Sequence, residues 1–227
     1  MSAIEQVAFD LYKDIHKGIR RELFTLVERA GSMDPSVRSG RVDLAEQLDR
    51  TVELLVVHAH HEDTHAQPSI EKFLPDLAAE IEGDHERIEG RMVQLQEMAC
   101  ESINAVQSAQ RFSVHRLYLE LASFASEYLA HQDLEERLVM PALERAIGVE
   151  AVVGIHIAIV SSMPPEKTAT SLALMFPALN IDDRAELLGG IRASAPAAVF
   201  EGLWGLAGSV LSPPELTALG NRLQIAA

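Results

Sequence analysis

Apolar residues recur along this chain at steps of three and four, the spacing of one face of an α-helix. In the first segment they fall at Ile4, Val7, Leu11, Ile15, Ile19, Leu23 and Leu26, which predicts a helix over residues 4–30 that stops at Gly31. The same spacing predicts a second helix over residues 42–66, ended by Pro68, and a third over residues 77–110, opening behind Pro75-Asp76. A fourth covers residues 113–139 and is closed by Pro141. Valine and isoleucine do not gather into alternating strand patterns. The predicted class is therefore all-α, an antiparallel four-helix bundle set over residues 1–145. Over residues 146–227 the helical patterns shorten and are broken by Pro164-Pro165, Pro177, Gly189-Gly190, Pro196 and Pro213-Pro214. Asp182, Ser194 and Ser212 each stand where an N-cap would open a short helix. An appended C-terminal set of short helices is expected there.

Composition narrows the range of functions. Of the 227 residues, 48% are hydrophobic and 23% charged, which fits a globular chain rather than a disordered one. The net charge is −15, and nearly all of the acidic excess falls in the first 150 residues. Such a surface repels phosphate backbones, so nucleic acid is not an expected partner. The longest apolar stretch, residues 151–160, is far too short to span a bilayer, so no membrane association is expected. A lone cysteine, Cys100, and an opening without the pattern of a signal peptide point to a cytoplasmic protein. The weak charge of the C-terminal segment leaves it as the candidate contact for a homo-oligomer or protein partner.

The histidines carry the chemistry. His58 is followed by Glu62, Asp63 and Pro68; His131 is followed by Glu135, Glu136 and Pro141, with identical spacing in both copies. His16 precedes the first copy and His85 the second, so the bundle reads as two related helix hairpins. Residues four apart lie one above the other on a helix face, so His58 with Glu62, and His131 with Glu135, can reach one metal site from one helix. His85 and Glu89 repeat that relation on the third helix. Four histidines and three carboxylates exceed the needs of one divalent ion and suit two ions bridged by carboxylates. Imidazole and carboxylate without thiolate favour iron or manganese over structural zinc, although affinity alone favours zinc over ferrous iron.

At these residues the sequence resembles the hemerythrin-like, or HHE cation-binding, family. The resemblance spans roughly residues 8–145. It rests on a first-helix histidine (His16), a second-helix His-x-x-x-Glu (His58 to Glu62), a third-helix histidine (His85) and a fourth-helix His-x-x-x-Glu (His131 to Glu135), in that order. It implies a non-haem centre of two iron ions with Glu62 and Glu135 bridging and the histidines in outer positions. Dioxygen, peroxide or nitric oxide would then be the small ligand. Oxygen carriers of the family hold a second third-helix histidine where this chain has Glu89. A carboxylate there stabilises ferric states, so turnover of oxygen or peroxide, of oxidase, peroxidase or catalase type, is expected ahead of reversible oxygen binding. Binding or sensing of oxygen, nitric oxide or iron without turnover is the alternative. The expected metal ligands are His16, His58, Glu62, His85, Glu89, His131 and Glu135.

The other candidates have plainer readings. His60 is expected to face solvent and His115 to serve on the surface or in packing; His61 and His65 are expected to do the same, with support of the ligands from beside Glu62 as the alternative. Tyr128, one turn before His131, is a candidate lining for access to the centre, and Cys100 is expected to be a buried thiol.

Overall fold

The computed structural model describes residues 5–225, and among these the regular structure is helical throughout. The predicted first helix begins later than its apolar spacing indicates: α1 runs Lys13–Ser32. The expected start at Ile4 lies outside the described residues. Val7, Phe9 and Leu11 pack on the core from a non-helical segment. The Glu144 carboxylate accepts the backbone N–H groups of Ala8 and Phe9, and the Asp10 carboxylate accepts that of Tyr12 at 2.9 Å. Their polar main chain is thus satisfied without a helix.

The long helices follow as α2 (Arg38–His61), α3 (Gln67–Phe73), α4 (Pro75–Asn104), α5 (Gln110–Leu134) and α6 (Met140–Ile147). Two expected helices are interrupted in the same way. Between α2 and α3 lies one π-helical turn, Glu62–Ala66, and between α5 and α6 another, Glu135–Val139. Pro68 and Pro141 explain their position. Each proline lacks an N–H and its ring would meet the carbonyl four residues back, so the α-helical ladder cannot pass through unchanged. The widened turn absorbs the mismatch.

Two compact units divide the chain. The first takes residues 1–12 and 19–159, the second residues 13–18 and 160–227, so α1 is an unbroken helix whose first turn groups with the second unit. The first unit extends beyond the expected limit at residue 145 because α7 (Val149–Ser162) buries Val152 and Ile155 among Tyr12, Ile70, Ile81, Met140 and Leu143. Gly148, at φ +82°, makes the turn from α6 into α7 in a conformation that other residues adopt only with strain.

In the second unit, α8 (Pro165–Met175), a 3₁₀ turn (Phe176–Ala178), α9 (Ile181–Ser194), α10 (Ala197–Val210) and α11 (Pro213–Arg222) enclose Leu172, Phe176, Leu188, Ala207, Leu211 and Leu219. Of the predicted caps only Ser212 opens its helix, through a reciprocal capping box with Glu215. Asn180 caps α9 in place of Asp182, and Ser194 closes α9 while Pro196 precedes α10. No helix among the described residues is long and apolar enough to cross a membrane.

Candidate metal centre

Six of the seven expected ligands come together. His16 from α1, His58 from α2, Glu62 and Glu135 form one group of potential ligands; Glu62, His85 from α4, His131 from α5 and Glu135 form a second. Within each group the ligand atoms lie within 4.8 Å of one another. Both glutamates belong to both groups, and each is the first residue of a π turn. One Glu62 oxygen stands 3.1 Å from His58 Nε2 and the other 3.5 Å from His85 Nε2, so a single carboxylate faces both groups. Glu135 approaches His131 Nε2 at 3.4 Å. The His85 and His131 rings meet edge to face at 5.0 Å.

The site is deeply withdrawn from solvent. His16 is 0%, Glu135 1% and His131 2% exposed. Burial raises the Glu135 carboxyl well above its ordinary value, and the Glu62 carboxylate beside it adds to the shift. Two buried carboxylates of this kind favour a shared proton or a cation between them. Burial likewise lowers His131, keeping its ring neutral and able to donate a lone pair. Burial alone would lower His85 too, but the Glu62 and Asp63 carboxylates outweigh it and raise this histidine. Tyr12 and Tyr128 are fully withdrawn phenols near both glutamates. Burial first, and the glutamate charges second, hold their pKa values well above the ordinary phenol range.

Glu89 does not join either group. It is exposed on α4, whereas Ile81, His85, Ile88 and Met92 turn toward the bundle interior. A residue next to an inward one is rotated by about 100°, and α4 has no π turn to bring Glu89 back. The acid of this segment that does engage the site is Asp84, missed in the sequence because its partner is on another helix. Its Oδ2 is 3.3 Å from His131 Nδ1, and its Oδ1 accepts a 2.6 Å hydrogen bond from Arg87. Asp63 plays the same part toward His85 Nδ1, at 3.0 Å. Its counterpart in the second copy, Glu136, instead makes a bidentate pair with Arg20 of α1 at 2.8 and 2.9 Å.

The remaining histidines stay outside the groups. His60 and His115 are exposed, His61 and His65 half-buried, and His156 packs on Phe9 at 5.2 Å. Cys100 is exposed rather than buried, being one position past the inward Ala99 on α4. Gln132 went unnoticed in the sequence. It is 0% exposed, and neither its amide nitrogen nor its oxygen makes a hydrogen bond within the protein.

Helices that aim histidines and shared glutamates at one buried point define a helical bundle with a cluster able to hold metal. The family comparison agrees. The chain belongs to the hemerythrin HHE cation-binding domain family, whose model matches residues 7–143. Neither the characterised proteins nor the solved structures compared with it give a match.

Proposed function

We propose that this protein holds two iron ions and uses them to react with dioxygen or peroxide. The reading rests on the two ligand groups that share Glu62 and Glu135. His16 and His58 would hold one ion, His85 and His131 the other, with both glutamates common to the pair. Each ion would then be offered two imidazoles and two shared carboxylates, and a small ligand such as dioxygen, peroxide or nitric oxide would complete the donor set. When bound, an iron pair supplies two-electron exchange with oxygen or peroxide.

The protein's own contribution is to bury the site, hold the His131 ring neutral through that burial and keep bulk water out. Tyr12 and Tyr128 remain protonated phenols against the two glutamates, neutral walls that do not compete as anionic ligands. With Glu89 outside the site, the case for turnover rests on a small ligand completing the donor set rather than on a third carboxylate.

The test is metal content after growth in iron-supplied medium, with absorption spectra before and after peroxide. About two irons per chain, with near-ultraviolet bands that respond to peroxide, support the reading. One tightly held zinc and no spectral response overturn it in favour of a structural metal. Rapid mixing of the reduced protein with oxygen separates the alternative of binding without turnover: an adduct that releases oxygen under vacuum would sink the enzymatic reading.

A further inference from the structure

Two aspartates outside the ligand groups stand behind two of the histidines within them. His131 points Nε2 toward Glu135 and Nδ1 toward Asp84; His85 points Nε2 toward Glu62 and Nδ1 toward Asp63. An ionised carboxylate only accepts hydrogen bonds, so an imidazole nitrogen bonded to it must carry the proton. The opposite nitrogen is then the lone-pair donor, and in both rings it is the one facing the glutamates.

Asp84 is the better built of the two. Its side chain is 16% exposed against 56% for Asp63. It is also gripped from outside, because Arg87 donates to Asp84 Oδ1 at 2.6 Å and from Nε to Glu127 Oε1 at 2.5 Å. The result is a chain of contacts Glu127–Arg87–Asp84–His131 that links α4 to α5 and ends in the second ligand group.

We infer that Asp84 is a positioning residue that fixes His131 in the Nδ1–H form with Nε2 directed into the centre, that Arg87 holds Asp84 for this task, and that Asp63 does the same less firmly for His85. The inference rests on the metal-centre reading for its purpose, but its geometry can be tested without metal. All three residues act on the group made by His85 and His131. Loss of Asp84 therefore weakens one of two ions and leaves the other, held by His16 and His58, nearly unchanged.

The experiment uses the full chain and the variants Asp84→Asn, Asp84→Ala and Arg87→Ala. In metal-free protein at about pH 8, ¹⁵N NMR of the imidazoles reports the His131 tautomer. Nδ1–H is expected to dominate in the parent protein. Asp84→Asn is expected to lose that preference, because an amide can donate as well as accept. Zinc binding, read by chelator competition, is expected to weaken about 10- to 100-fold for one ion in both Asp84 variants. Arg87→Ala, a substitution at an exposed side chain, is expected to weaken the same ion by a smaller factor. An unchanged His131 tautomer in both Asp84 variants overturns the proposal, as does equal weakening of both ions, which is what a general loosening of the fold produces. If the tautomer shifts as expected but the parent protein binds no metal, the positioning stands and the metal reading fails.

Discussion

Glu62 and Glu135 differ from every other side chain in the centre because each belongs to both ligand groups. Substituting a shared ligand and an unshared one should therefore have different consequences. Glu135→Ala is expected to lose both ions, whereas His85→Ala is expected to keep one, as metal analysis of the purified variants would show. A variant of His85 that also empties completely would mean that the two positions fill only together. Gln132 offers a second check at this scale. Exchanging a fully buried amide without an internal hydrogen bond for leucine should raise stability by about 1–3 kcal/mol, measured by thermal unfolding. A loss of stability on that exchange would show that the amide is paired in solution. At this scale the grouped side chains were legible where a local spacing recorded them, as in His58 to Glu62 and its copy. The same spacing misled at Glu89, since i to i+4 on an ordinary helix does not decide which residue turns inward. Asp84 left no local trace, because its partner His131 is 47 residues away and meets it only when α4 packs on α5.

The helices themselves show a related division. Four long segments could be read from apolar periodicity, and the prolines ten residues after His58 and His131 marked where they change. What the period could not show is that the change is a widened turn rather than a stop. The residues before Lys13 mislead for another reason: Val7 and Leu11 keep a helical step while packing from non-helical backbone. The short helices carry their own test. In the α11 capping box, hydrogen bonds from the Ser212 hydroxyl and backbone, followed by the Arg184 contact, lower the Glu215 carboxyl to about 2. A depressed folded-state value means that its stabilisation is complete above the unfolded pKa, near 4.5, and fades as pH falls toward 2. Glu215→Gln should thus melt earlier than the parent at neutral pH, with the gap closing between about pH 4.5 and 2. A gap that persists unchanged at pH 2 would count against the carboxylate as its source.

Over the whole molecule, the charge of −15 surrounds a site that collects cations. A field of that sign draws in divalent ions, and salt screens it. Uptake of cobalt(II) by the metal-free protein, followed by absorption, is expected to slow as sodium chloride rises; a rate indifferent to salt would mean that entry is limited by opening of the bundle. The two π turns carry a different lesson. A π turn closes its hydrogen bonds over one more residue than an α turn, so each is a helix that has accepted a surplus residue. Shortening the chain by one inside each, at the exposed Thr64 and Leu138, would remove the surplus residue and leave Pro68 and Pro141 to bend the helices where the widened turns now stand. Such a double deletion should retain its helical circular dichroism and lose its metal. Chain length at those two turns would then decide between a bundle that holds metal and an empty one carrying the same histidines and glutamates.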